Sequence, residues 1–65
     1  MRPTLKRFKQ LCYTYDVEWR DVRDFLKVEG KCETLVELND YINRCILHDM
    51  NVIRFAILTV KERSK

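Results

Sequence analysis

Hydrophobic residues recur along most of this chain at the three- and four-residue spacing of amphipathic helices. In the first segment the apolar positions fall within an arc of roughly 120° if each residue turns about 100°. The apolar arc holds Leu5, Phe8, Leu11, Cys12 and Tyr15, and the opposite side holds Lys6, Arg7, Lys9, Gln10 and Thr14. The spacing predicts a helix over about 3–14, with Pro3 in its first turn, where the missing N–H costs nothing.

A strand is the competing interpretation of the same region. Strand-favouring residues alternate strictly at Leu11, Tyr13, Tyr15, Val17 and Trp19. The helical pattern includes more residues and separates charge better, so we favour the helix.

The second segment has a narrower apolar stripe and a fully charged opposite face. The stripe consists of Trp19, Val22, Phe25 and Leu26, and the charged face of Arg20, Asp21, Arg23, Asp24 and Lys27. This pattern predicts a helix over 17–29 with Trp19, Val22 and Leu26 buried. Asp16 is suited to cap its N-terminus, and Gly30 stands where a left-handed residue is expected to end it.

The third segment repeats this design over about 33–48. Its apolar face holds Leu35, Leu38, Tyr41, Ile42 and Cys45, and its polar face holds Glu37, Asp40, Asn43 and Arg44. Glu33 and Glu37 near the start favour the positive end of the helix dipole.

The last segment, residues 52–60, is apolar all round except for Arg54 and Thr59, so periodicity does not separate helix from strand. A lone strand would need a partner chain to pair its backbone, so we favour a fourth helix with Asn51 as N-cap. One side of it would fill the core, while the other would need a second subunit or another protein. We expect Phe55 and Leu58 to anchor that contact, with Arg54 at its rim.

Composition agrees with a single small all-α domain over 1–65: three amphipathic helices plus the apolar C-terminal segment. One Gly, one Pro and 35% charged residues argue against a disordered chain. Three cysteines do not suit a disulfide framework, which favours a reducing, cytoplasmic location. The longest apolar stretch is too short for a bilayer, so no membrane association is expected.

The cysteines and the single histidine are the candidates for chemistry. Cys45 and His48 lie three apart on one helix, and Cys12 and Cys32 would complete a set of four zinc ligands. Only one close pair exists, however, and Cys12 and Cys45 fall on apolar stripes. We therefore interpret them as core residues and expect neither metal nor cofactor.

Catalysis is also not expected. A Cys–His nucleophile would need an orienting group and an oxyanion site, and a chain with a single Gly has no glycine-rich loop to supply one. Asp21 and Asp24 interleave with Arg20 and Arg23, which indicates a solvated face with ion pairs.

The net charge of +3 is unevenly distributed. Residues 1–10 carry +4, residues 11–50 carry −4, and residues 51–65, with the basic tail 61–65, carry +3. Residues 17–48 have the outline of a helix-turn-helix, but its second helix begins with Glu33, Thr34 and Glu37, and the two acids would repel phosphate. The basic ends offer a non-specific grip on nucleic acid through Lys6, Arg7, Lys9, Lys61, Arg63 and Lys65.

These patterns predict a small non-enzymatic regulatory or inhibitory protein that binds another protein, itself as a homodimer, or both. Its size would fit a phage or mobile-element origin. The partner-binding residues would be Phe55, Leu58, Arg54 and the off-stripe aromatic Tyr13. The alternative is a small DNA-binding regulator that uses the basic ends.

Overall fold

The computed structural model describes residues 4–64, with the side chains of residues 5–64, and forms four α-helices over that range. They are α1 (Thr4–Thr14), α2 (Trp19–Glu29), α3 (Leu35–His48) and α4 (Met50–Arg63). The all-α prediction is confirmed. The predicted bounds of the first three helices lie within two residues of the observed ones, whereas α4 extends three residues beyond the predicted end at Val60. Residues 52–60 are helical, so the strand alternatives for this segment and for 11–19 are wrong. The predicted role of Pro3 lies outside the described residues.

The two central helices, α2 and α3, each contact all the others, and α1 and α4 flank them. The radius of gyration of the Cα atoms, 10.8 Å, is that of a compact chain of this length. The core contains only apolar and cysteine side chains: Phe8, Cys12, Val17, Val22, Leu26, Cys32, Leu38, Ile42, Cys45, Ile53, Ala56, Ile57 and Val60. The predicted burial of Val22 and Leu26 is confirmed, but Trp19 is only half-buried. Leu5 and Leu35 are exposed near helix starts, where no helix covers their end of the stripe.

Both α1 and α2 end in a left-handed residue that is not glycine. Asp16 has φ 59°, with Val17 N–H donating to Cys12 O (2.9 Å), and therefore ends α1 instead of capping α2. Lys31 has φ 53°, with Cys32 N–H donating to Lys27 O (3.0 Å). The left-handed position predicted for Gly30 is thus wrong by one residue, since Gly30 has φ −85°.

Gly30 is required for space. A Cβ added to it would stand 2.9 Å from the ring of Tyr41, which packs across the end of α2.

The N-termini of α2, α3 and α4 differ in their capping. The Thr34 hydroxyl accepts from Glu37 N–H (3.2 Å) and caps α3, whereas Glu18 precedes α2 without a side-chain capping bond. Asp49 ends α3 and directly precedes α4, so Asn51 lies inside α4 and the prediction of Asn51 as N-cap is wrong. None of the four described helices has the length and apolar character needed to cross a membrane.

Candidate protein-binding groove

An open surface follows the boundary between α2 and α4. Two adjoining depressions of about 550 and 300 Å³ lie there and share Phe25 and Glu29. Asp21, at the start of α2, lines only the first, together with Arg63, and Asn51, near the start of α4, lines only the second, together with Glu29 at the end of α2. The two helices α2 and α4 are therefore antiparallel. All residues that line either depression together form one surface, the α2–α4 groove.

Two phenylalanines from different helices form the floor of this groove. The rings of Phe25 and Phe55 lie 6.2 Å apart at 57°, within the range of favourable tilted aromatic contacts. The Arg63 guanidinium lies 5.5 Å from the centroid of Phe25. Phe55 nonetheless remains 60% exposed, and Val28 is 78% exposed. The groove thus leaves a large aromatic side chain available to a partner.

Charges around the groove are mostly acidic. The lining contains the carboxylates of Asp21, Asp24, Glu29 and Asp49, against the single cation of Arg63. Arg63 also covers Phe25, so its charge lies over the apolar floor at one end. A ligand in this groove would meet an apolar floor and a predominantly negative rim.

The structure brings together part of the predicted partner-binding set. Phe55 lines the groove, and Leu58 follows it by one turn of α4 and is 53% exposed. Arg54 is exposed beside Phe55 in the chain. Tyr13 is exposed as expected, but it lines a separate hollow with Asp16, Val17 and Glu18, so the structure does not bring it to this groove.

The α2 contribution to the groove is absent from the sequence-based prediction. Phe25 was assigned to the core stripe, and Asp21 and Asp24 to a solvated face with ion pairs. Both aspartates are exposed, as predicted, and they also line the groove. The one ion pair among the described side chains joins Arg23 to Asp24 at 3.6 Å. Val28 could have indicated this surface from the sequence, because it is an apolar residue outside the apolar stripe of α2.

The basic ends do not form one continuous surface. Lys6, Arg7 and Lys61 are exposed, and Lys65 lies outside the described residues. The Lys9 ammonium lies 4.3 Å from the ring centroid of Trp19, whereas Arg63 covers Phe25. Trp19 and Phe25 are six positions apart, which places them on different sides of α2.

The candidate metal and nucleophile residues lie mostly in the interior. Cys12, Cys32 and Cys45 are buried free thiols, and no three His, Cys, Asp or Glu side chains within residues 5–64 are grouped to hold a metal ion. Burial raises the pKa of Cys45 above its ordinary value, although its hydrogen bond with Tyr41 opposes this. A nucleophilic cysteine needs a lowered pKa.

No protein-family model, curated protein or solved structure matches the chain. Functional inference for this protein therefore rests on the geometry and charge of its own surface.

Proposed function

We propose that this chain is a small non-enzymatic regulatory or inhibitory protein that acts by docking on another protein through the α2–α4 groove. The observation that supports this is the 60% exposure of Phe55 on a helix whose opposite side is already buried. Burying a large apolar side chain contributes roughly 1.5–3 kcal/mol, so Phe55 and its neighbours favour a covered state. Exposed aromatic residues of this kind commonly act as binding anchors.

A basic amphipathic helix is the partner chemistry that best fits the groove. The groove runs between two antiparallel helices, so a third helix can lie along it with its apolar side on Phe25 and Phe55. Lysine or arginine residues at the edges of that helix would meet Asp21, Asp24, Glu29 and Asp49. Such charge complementarity would set orientation and association rate more than affinity.

A non-catalytic role is also consistent with the interior of the molecule. Its core is composed of apolar residues and thiols, and no buried side-chain nitrogen or oxygen among the described residues lacks a hydrogen-bond partner.

The test is binding of a fluorescein-labelled peptide of about five helical turns, with leucine at helical spacing and lysine elsewhere. Fluorescence anisotropy should show saturable binding to the wild-type protein. Phe55→Ala should weaken it about 30-fold, as expected for loss of a 2 kcal/mol anchor. Asp21→Asn combined with Asp24→Asn should weaken it mainly at low salt.

Leu47→Ala is the matched control, because Leu47 has the same 53% exposure as Leu58 but lies on α3, whereas Leu58 lies on α4 one turn from the groove residue Phe55. It should change affinity less than twofold, whereas Leu58→Ala should have an effect between those of Leu47→Ala and Phe55→Ala. Equal losses for Leu47 and Phe55 would contradict the proposal. Sedimentation at micromolar concentration tests the homodimer alternative. A dimer that depends on Phe55 would identify a second copy of the chain as the occupant of the groove.

A further inference from the structure

Three cations surround the single tryptophan of the chain. The Lys9 ammonium lies 4.3 Å from the centroid of the Trp19 ring, the Arg23 guanidinium 5.2 Å away and the Arg20 guanidinium 5.4 Å away. Lys9 comes from α1 and the arginines from α2, so the cluster exists only because these helices pack together. Like charges gathered around one half-buried side chain repel each other, which favours binding of an anion nearby.

The cluster belongs to a longer row of positive charge. Lys6 lies one turn before Lys9 on α1, and Lys27 lies one turn after Arg23 on α2, and both are exposed. Within the row, Asp24 contacts Arg23 at 3.6 Å. Asp16 and Glu18 border Tyr13 and limit the row at that end. Five cations spread over two packed helices suit a polyanion with several phosphates better than a single small ion.

We propose that this basic row, consisting of Lys6, Lys9, Arg20, Arg23 and Lys27 around Trp19, binds the phosphodiester backbone of a single-stranded nucleic acid. Guanidinium groups that stack on an aromatic ring keep their N–H edges free, and those edges match phosphate oxygens in pairs. The partly exposed indole adds a surface on which a base can stack once a cation moves onto a phosphate.

The surroundings favour a nucleic acid over a membrane. The large exposed apolar residues Val28, Phe55 and Leu58 belong to the α2–α4 groove or to α4 next to it. Phe25, which forms the floor of that groove, lies on a different side of α2 from Trp19. Beside the row on α1, Leu5 and Tyr13 are exposed but lie eight positions apart, so they do not form the continuous apolar face that an interfacial helix inserts into lipid. This site is independent of the proposed protein-docking groove, and either can fail without the other.

Trp19 is a built-in reporter for the test. Titration of the wild-type protein with an oligothymidylate at about 50 mM salt should quench the Trp19 fluorescence as bases stack on it. Affinity, measured separately by anisotropy of a fluorescein-labelled oligothymidylate, should fall with salt with a log–log slope of roughly −3.5, since each of the five cations would neutralise one phosphate and each phosphate on a single strand contributes about −0.7.

The decisive variant is Lys9→Gln combined with Arg20→Gln, compared with Arg44→Gln combined with Lys61→Gln. Both pairs remove two positive charges, but Arg44 and Lys61 lie on α3 and α4, outside the row. Circular dichroism should show that both variants remain helical. We expect at least a tenfold loss of affinity and a slope of about −2 for the first pair, because three cations remain, and less than a threefold loss for the second.

Three results would overturn the proposal. One is the absence of binding at low salt, and a second is an equal loss in the two double variants, which would indicate diffuse charge attraction. The third is binding of polyglutamate or of phosphatidylserine vesicles as tight as that of the oligothymidylate, because the row would then recognise negative charge in general.

Discussion

Gly30 and Lys31 end α2 by different physical means. Gly30 has an ordinary right-handed conformation and is needed because the Tyr41 ring leaves no room for a Cβ. Lys31 adopts the left-handed conformation, which costs a residue with a Cβ about 1 kcal/mol. Glycine is the residue that sequence preference would place at the left-handed position. In this chain the glycine lies one position earlier, where its lack of a Cβ permits close packing against Tyr41.

Substitutions at these two neighbours should have opposite effects on the free energy of unfolding. Gly30→Ala should lower it by about 1 kcal/mol, because overpacking against Tyr41 exceeds the entropic gain from replacing glycine. Lys31→Gly should raise it by about 0.5 kcal/mol, because relief of strain exceeds the added chain entropy. Urea denaturation of both variants checks this, and a more stable Gly30→Ala protein would show that Tyr41 yields easily.

At the scale of elements, α3 has a side-chain N-terminal cap that α2 and α4 lack. The Thr34 hydroxyl accepts from Glu37 N–H at 3.2 Å, while the Glu37 carboxylate accepts from Glu33 N–H at 3.4 Å. The sequence Thr34–Glu37 has the threonine and glutamate spacing of a capping box, although the return bond goes to the residue before the cap. Glu37 also lies near the positive end of the helix dipole.

Removal of this cap should destabilise the whole protein. Thr34→Ala should lower the free energy of unfolding by about 1 kcal/mol, because Glu37 N–H loses its acceptor. Thr14→Ala is the control, since the Thr14 hydroxyl donates only to Gln10 O at an exposed site, and it should change stability by less than about 0.5 kcal/mol. Equal losses in a denaturation experiment would mean that the cap contributes little to α3.

The element scale also explains the charge pattern of α2. Arginines and aspartates alternate at Arg20, Asp21, Arg23 and Asp24, which resembles a mixed solvated face. With about 100° per residue, the arginines and the aspartates occupy adjoining sectors of the helix, and Arg23 still contacts Asp24 at 3.6 Å. The arginines meet Trp19, and the aspartates line the α2–α4 groove. One short helix therefore contributes to an acidic apolar groove and to a basic row.

At the scale of the whole molecule, a buried thiol in the core lowers the free energy of unfolding at alkaline pH. Burial raises the pKa of the Cys12 thiol from its ordinary value near 9 to about 11, and the charge of Glu18 adds to the shift. The folded state therefore retains the Cys12 proton at pH values where the unfolded chain loses it. The associated stability is fully present below pH 9 and is lost as the pH rises towards 11.

Comparison of the wild type with Cys12→Ala isolates this effect from the titration of other groups. Between pH 8 and pH 11 the wild type should lose about 2–3 kcal/mol more unfolding free energy than the variant does. Denaturation at several pH values measures the difference. Parallel curves for the two proteins would show that the Cys12 thiol is accessible to solvent.

The sequence by itself determined the helices, because the apolar stripes of α1, α2 and α3 repeat at helical spacing and charges fill the opposite faces. It also indicated the exposed pair Phe55 and Leu58, since one small core has no room for an apolar segment on all its sides. Its local preferences were less reliable at the ends of helices. Asp16, Gly30 and Asn51 are residue types preferred at helix caps, yet each has a different role in the structure. Asp16 ends α1, Gly30 leaves room for Tyr41, and Asn51 lies inside α4.

Only the tertiary structure decided which faces meet. Packing of α2 against α4 brought Phe25 beside Phe55 and added Asp21 and Asp24 to the groove, although about thirty residues separate these positions in the chain. Packing of α1 against α2 placed Lys9 on Trp19. Periodicity reports the side of a helix on which a residue lies, but not the helix that it faces, because that choice depends on the fit of all four helices around one core.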